Sequence, residues 1–232
     1  MKYNSKKAIL FDFGDTLAST DPPYINRLAM ALRKAGYNIS DRDFEKAYTK
    51  ADYELYKKHK RVGGISPQDH RNWFIPLVLD YLSFDEDIQK VRQKTRIEMR
   101  EIGYGRKLLP GAKQLLDYLK DKNYTLGVIS NNDGTTEEKC EEVGIKDYFD
   151  FIGDSTNLGL IKPDIKIFNY ALEKLMLSKE DVIHIGDLFG SDVMGGLNAG
   201  IDVIWLNHRN LDGFEEGNYL EVRDLESIRS FI

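Results

Sequence analysis

Apolar and polar positions along the chain fall into three regimes. The first is a short run, Ala8-Ile9-Leu10-Phe11, with the character of a buried strand; it ends in Asp12, and Gly14 and Thr16 then break the pattern. The second is helical. Ile25, Leu28, Ala29 and Leu32 fall at helical spacing with Gly36 as a stop, and Phe44, Ala47, Tyr48, Ala51 and Leu55 repeat the spacing behind a cap at Ser40 or Asp41. Residues 61–67 interrupt. Trp73, Leu77, Val78 and Tyr81 then predict a third helix, and Ile88, Val91 and Ile97 a fourth. Residues 19–105 therefore read as a helical bundle, with Trp73 and Tyr81 in its core.

The third regime alternates. Pro110 suits the first turn of a helix carrying Ala112, Leu115, Leu116 and Leu119. Residues 125–129 predict a buried strand running into Ser130-Asn131-Asn132, and residues 137–143 a helix stopped by Gly144. A strand over 149–152 follows, then a helix marked by Ile167, Phe168, Ala171, Leu172 and Leu175. Residues 181–185 form a strand ending at Gly186-Asp187, a short helix carries Ala199-Gly200, and 202–206 is the last strand. Alternation of this kind predicts an α/β fold with a doubly wound parallel sheet. The helical block lies between the first strand and the rest, so it is an insertion. The expected division is a core of residues 1–18 and 106–232 and a helical domain of 19–105.

Composition narrows the function. The chain of 232 residues is 41% hydrophobic and 31% charged, an ordinary globular balance. A net charge of −5 points away from nucleic acid and from membrane surfaces as partners. No apolar run approaches the ~20 residues of a membrane span, and residues 1–7 are too short and polar for a signal or anchor. The single cysteine, Cys140, allows no internal disulfide, which fits a cytoplasmic protein. Its glutamate-rich setting opposes thiolate formation, so it is expected to be inert. Either a monomer or a homodimer is compatible with these features.

The chemistry sits at predicted strand ends. In a parallel sheet Asp12, Ser130, Asp187 and, after a loop, Lys162 share one edge and can converge. An aspartate nucleophile, a hydroxyl, a lysine and further acids make a set suited to phosphoryl transfer. Asp12 would attack phosphorus, Asp12 and Asp187 would hold Mg²⁺, and Ser130 and Lys162 would balance phosphoryl charge. His184, inside a predicted buried strand, reads as a core histidine.

These residues carry a resemblance. Phe11-Asp12-Phe13-Gly14-Asp15-Thr16-Leu17, Val128-Ile129-Ser130-Asn131, Gly159-Leu160-Ile161-Lys162-Pro163-Asp164 and Gly186-Asp187-Leu188-Phe189-Gly190-Ser191-Asp192 resemble, in order, the four motifs of the haloacid dehalogenase-like (HAD) hydrolase superfamily. The resemblance implies a HAD-like Rossmannoid core with an inserted α-helical cap and a Mg²⁺-dependent phosphatase acting on a small phosphorylated metabolite. Asp12 would be nucleophile and metal ligand, Gly14 a carbonyl ligand and Asp187 a further ligand. Thr16, Ser130 and the Asn131 backbone would bind the phosphoryl group, Lys162 would stabilise it, and Asp192 would orient Lys162 or a metal-bound water.

One departure stands out. Most phosphatases of the family carry a second Asp, the general acid/base, two residues after the nucleophile; here that residue is Gly14, and Asp15 follows one later. Asp15 is the candidate substitute, although a shift of one residue redirects a side chain near a strand end. The family's L-2-haloacid dehalogenases also lack that Asp, as would a non-catalytic HAD-fold binding or regulatory protein. Retention of Gly186-Asp187 with Asp192 favours the phosphatase. The stretch Gly63-Gly64-Ile65-Ser66 resembles a cap specificity loop and also reads as a plain helix-connecting turn. Gly64 and Arg61, with His70 and Arg71 nearby, are the candidate substrate contacts there.

Overall fold

The computed structural model describes residues 2–232. The elements, in chain order, begin with β1 (Ala8–Phe11), β2 (Ala18–Asp21), α1 (Tyr24–Lys34), α2 (Asp41–Val62), α3 (Pro67–Tyr81), α4 (Ile88–Arg100) and β3 (Gly105–Leu108). They continue with α5 (Ala112–Asp121), β4 (Thr125–Ser130), α6 (Thr136–Glu142), β5 (Phe151–Asp154), α7 (Ser155–Leu158) and α8 (Ile165–Leu175). The last are β6 (Val182–Gly186), a π-helical turn (Phe189–Met194), α9 (Gly195–Asn198), β7 (Asp202–Leu206) and β8 (Tyr219–Val222).

Six strands form one sheet in the order β5-β4-β1-β6-β7-β8, and each neighbouring pair is parallel. β1 lies inside the sheet and is fully buried. Its alternate residues serve opposite faces: Ile9 and Phe11 pack with Leu115, Leu116 and Leu119 of α5, while Ala8 and Leu10 pack with Phe168 and Ala171 of α8. A strand covered on both faces needs a continuous apolar run, which is why this one is conspicuous in the sequence. Cys140 is wholly buried in the α5 layer, and burial pushes its thiol up to about 12, so it is held as an unreactive thiol.

The helical block α1–α4 has its own core of Leu28, Leu32, Phe44, Ala51, Phe74 and Val78, with Trp73 and Tyr81 packed against it. Ser40, rather than Asp41, caps α2 by accepting from the Asp43 amide at 3.0 Å. Gly63 ends that helix in the left-handed region, and Ser66 caps α3 with Pro67 in its first turn.

Two features depart from the sequence reading. Residues 18–21, expected as the start of the bundle, form β2, which pairs antiparallel with β3 and ties the two connectors of the helical block together. Strands of four residues each, with Leu108 the one apolar side chain of β3 and none of its residues buried, leave no readable apolar run. The strand at 202–206 is also not the last. β8 extends the sheet beside β7 as an edge strand on which only Val222 is buried, so its sequence lacks the signature of a covered strand.

Candidate active site

The C-terminal edge of the parallel sheet gathers the predicted residues. Asp12 directly follows β1, and its amide donates to Ile185 O of β6 at 2.8 Å, which fixes the start of the loop. Lys162, 1% exposed, donates from Nζ to Asp12 Oδ1 at 2.7 Å and to Asp192 Oδ1 at 2.8 Å. Asn131 holds the lysine loop in register: its Nδ2 donates to Lys162 O and its Oδ1 accepts from the Lys162 amide, both at 2.9 Å. The Asn131 side chain is therefore spent on Lys162. Ser130, at the tip of β4, is buried and lines the cavity beside Asp12.

Asp187 follows β6, its carbonyl accepting from Trp205 Nε1 at 3.0 Å. Five residues on, the π-helical turn brings Asp192 back against the strand. A Cβ on Gly186 would lie 2.2 Å from Asp192 Cγ, so only glycine admits this return. Asp192 is heavily engaged: besides Lys162, its Oδ1 faces His184 Nε2 at 3.0 Å and its Oδ2 accepts from the Leu188 amide at 3.0 Å. His184 is fully buried between Asp192 and Leu10 O, a core position.

The acids Asp12, Asp187 and Asp192 each place an oxygen within 4.8 Å of the others. Burial raises the carboxyls of Asp12 and Asp187 above the usual range, against the opposing pull of Lys162 on one and Arg209 on the other; Asp192 adds to both shifts. For Asp192 the burial penalty is outweighed by Lys162 and His184, which hold it low, and the two carboxylates hold the Lys162 ammonium high. Desolvated carboxylates with raised affinity for positive charge are suited to a hard cation.

Three placements bear on the other candidates. Thr16 is fully buried and donates to Asp187 Oδ1 at 3.3 Å, away from the cavity lining. Asp15 lines the cavity, but its Oδ2 accepts from Arg209 Nη2 at 2.6 Å and its Oδ1 from the Ser19 hydroxyl. Arg61 is exposed at the end of α2, and neither it nor Gly64 lines the cavity; a Cβ on Gly64 would face Asp164 at 3.8 Å. His70 and Arg71, from α3, do line it, and burial lowers His70 to about 4, so its ring is neutral at physiological pH.

Two residues escaped the sequence reading. Arg209 donates to Asp187 Oδ2 at 2.5 Å as well as to Asp15, and its own carbonyl accepts from Arg42 Nη1 of α2 at 2.6 Å. A cation in a polar loop after β7 carries no sequence signal. Asp52 of α2, 1% exposed, accepts from the amides of Gly190 at 2.5 Å and Ser191 at 3.1 Å and from the Ser191 hydroxyl, pinning the helical block to the turn that carries Asp192. Asp52→Ala leaves two buried N–H groups without acceptors and is expected to cost about 2–4 kcal/mol in urea unfolding. Burial raises the Asp52 carboxyl from 3.8 to about 7. The unfolded chain thus releases this proton before the folded one, and stability falls as pH rises through that window. In Asp52→Asn the slope should be shallower.

An inserted helical block over the carboxylate-bearing edge of a parallel α/β sheet, with a lysine shared between two buried aspartates, is an arrangement suited to polar group-transfer chemistry at that edge. The family model for haloacid dehalogenase-like hydrolases matches residues 9–206, and the chain belongs to that family. It is similar to a glyceraldehyde 3-phosphate phosphatase of Methanothermobacter thermautotrophicus, 30% identical over 203 residues that cover 87% of this chain and 85% of that protein. It is also similar to the pyrimidine 5'-nucleotidase YjjG of Escherichia coli, 40% identical over 101 residues, a match spanning 43% of this chain and 44% of that one. Among solved structures, the HAD-hydrolase YfnB of Bacillus subtilis bound to magnesium superposes with a TM-score of 0.66 at 24% identity, covering 98% of each chain. That likeness concerns the fold. No helix among the described residues is long and apolar enough to cross a membrane.

Proposed function

We propose that this hydrolase is a Mg²⁺-dependent phosphatase acting on a small phosphorylated metabolite through an aspartyl-phosphate on Asp12. The observation that carries the reading is the Lys162 ammonium, 2.7 Å from Asp12 Oδ1 and 2.8 Å from Asp192 Oδ1, on the same edge as Asp187. It fixes one oxygen of Asp12 and leaves the other to attack. The phosphatase and the nucleotidase among the relatives support the same class of substrate.

The donor set fits a divalent cation. Asp12 and Asp187, with the Gly14 carbonyl, would hold Mg²⁺, which favours carboxylate oxygens, whereas Asp192, engaged by Lys162, His184 and the Leu188 amide, positions Lys162. Bound there, the ion would supply positive charge against the phosphoryl oxygens. The Asp12 carboxylate forms a bond to phosphorus while the ester P–O bond breaks, and the departing alkoxide takes a proton from solvent water to leave as the alcohol. Water then cleaves the acyl phosphate, releasing inorganic phosphate and restoring the carboxylate. Ser130 and the Asn131 backbone receive phosphoryl oxygens, and Thr16 acts through Asp187. In this reading residues 19–105 are the cap over a core of 1–18 and 106–232, and the enzyme works in the cytoplasm.

The test is phosphate release from an aryl phosphate, whose good leaving group makes an acid catalyst least necessary. Wild type is expected to turn over with Mg²⁺ and not with chelator, and Asp12→Asn to fall to background. Absence of turnover with the metal present would sink the proposal, and halide release from a 2-haloacid would then be the assay for the dehalogenase.

A further inference from the structure

The sheet-edge cavity, about 560 Å³, runs from Asp12 to the helical block. That is far more room than a phosphoryl group fills, so the remainder receives the alcohol portion of the substrate. Its cations differ in how they are engaged. Lys162 is committed to Asp12 and Asp192, Arg106 to Glu142 at 3.1 Å and Lys139 to Asp133 at 2.7 Å. Arg71 is exposed and bonded to Thr156 and Gln68.

Arg27 is the exception. It projects from α1, is 5% exposed and lines the cavity, yet its Nε is buried without a hydrogen-bond partner. Its guanidinium carbon lies 3.7 Å from the Tyr104 ring centroid and 5.7 Å from that of Tyr24. The titratable groups that act on it are Tyr104, Tyr24 and Arg106, none of them a carboxylate. Burial, together with Arg106, disfavours its charge. Aromatic faces offset part of the desolvation of a cation, but a buried charge without a counter-ion remains costly. The guanidinium itself is a planar fork of donors, the geometry suited to a carboxylate or phosphate.

We propose that Arg27, held by Tyr104 and Tyr24, binds a second anionic group on the leaving alcohol, so that the preferred substrates are phosphomonoesters bearing a carboxylate or a second phosphate. This rests on the phosphatase reading above and goes further by naming the substrate class. A neutral sugar or a nucleobase would leave the Arg27 charge uncompensated.

The experiment compares matched pairs on the full chain with Mg²⁺: 2-phosphoglycolate against 2-hydroxyethyl phosphate for the carboxylate, and propanediol bisphosphate against 3-hydroxypropyl phosphate for the second phosphate. Cytidine 5'-monophosphate against ribose 5-phosphate tests the nucleobase, and an aryl phosphate serves as control. Wild type is expected to favour one or both anionic partners by about 10–100-fold in kcat/KM, the range of a charge-assisted hydrogen bond. Which pair shows the preference identifies the group. Arg27→Gln should abolish it through KM while leaving the aryl phosphate nearly unchanged, and Arg27→Lys should restore part of it. The wild-type comparison stands even if a variant folds poorly. Aryl phosphate turnover with no anionic preference in wild type overturns this inference alone, as does a preference for the nucleotide untouched by Arg27→Gln. An equal loss on all substrates in Arg27→Gln marks a structural role and also overturns it. Absence of aryl phosphate turnover overturns the phosphatase reading and this one together.

Discussion

Lys162→Met is expected to cost the protein about 3–5 kcal/mol of stability, the range for removing one partner of a buried ion pair. Lys162 is 1% exposed and bonded to both Asp12 and Asp192, so its loss leaves two desolvated carboxylates facing each other. Both carboxyls would then titrate above their unfolded values. Protonation relieves the repulsion at low pH, and the deficit should therefore widen as pH rises toward neutrality. Urea unfolding at pH 5 and pH 7.5 checks the sign. On the phosphatase reading, aryl phosphate turnover should also drop by about 10²–10³-fold, as for loss of an electrostatic donor to the reacting group. A variant as stable and as active as wild type would show that Lys162 does not organise the site.

Gly14→Asp is expected to increase turnover of alkyl phosphates by about 10²-fold or more, the lower end of what a positioned general acid supplies. The substitution fits: a Cβ at Gly14 meets no heavy atom within 4 Å, and the residue faces the cavity. Asp15 does not already fill the role, because its carboxylate is tied to Arg209 and Ser19. Aryl phosphates, with better leaving groups, should gain little. The ratio of alkyl to aryl kcat/KM is thus the informative measurement. A ratio unchanged by the variant would mean that the leaving group takes its proton elsewhere.

Much of this architecture is written locally. The apolar run of β1 and the helix periods of the inserted block follow from burial on two faces or on one, and each leaves its own spacing in the sequence. β2, β3 and β8 leave none, being short or lying at an edge. Asp12, Ser130 and Asp187 were legible for a related reason: each ends or directly follows a strand, and a parallel sheet brings such positions to a common edge; Lys162 was reached only across a loop, and Asp192 only through the family resemblance.

What the sequence determined by itself was the α/β alternation, the position of the insertion and the residues at the strand ends. Tertiary structure alone decided which charges are spent and which remain available. Arg209 reaches Asp15 across 194 residues and Asp52 reaches Gly190 across 138, while Arg27 is distinguished by the carboxylate it lacks. An ion pair or an uncompensated charge depends on what lies within a few ångströms of it, and chain spacing sets that distance only within an element or along one sheet edge.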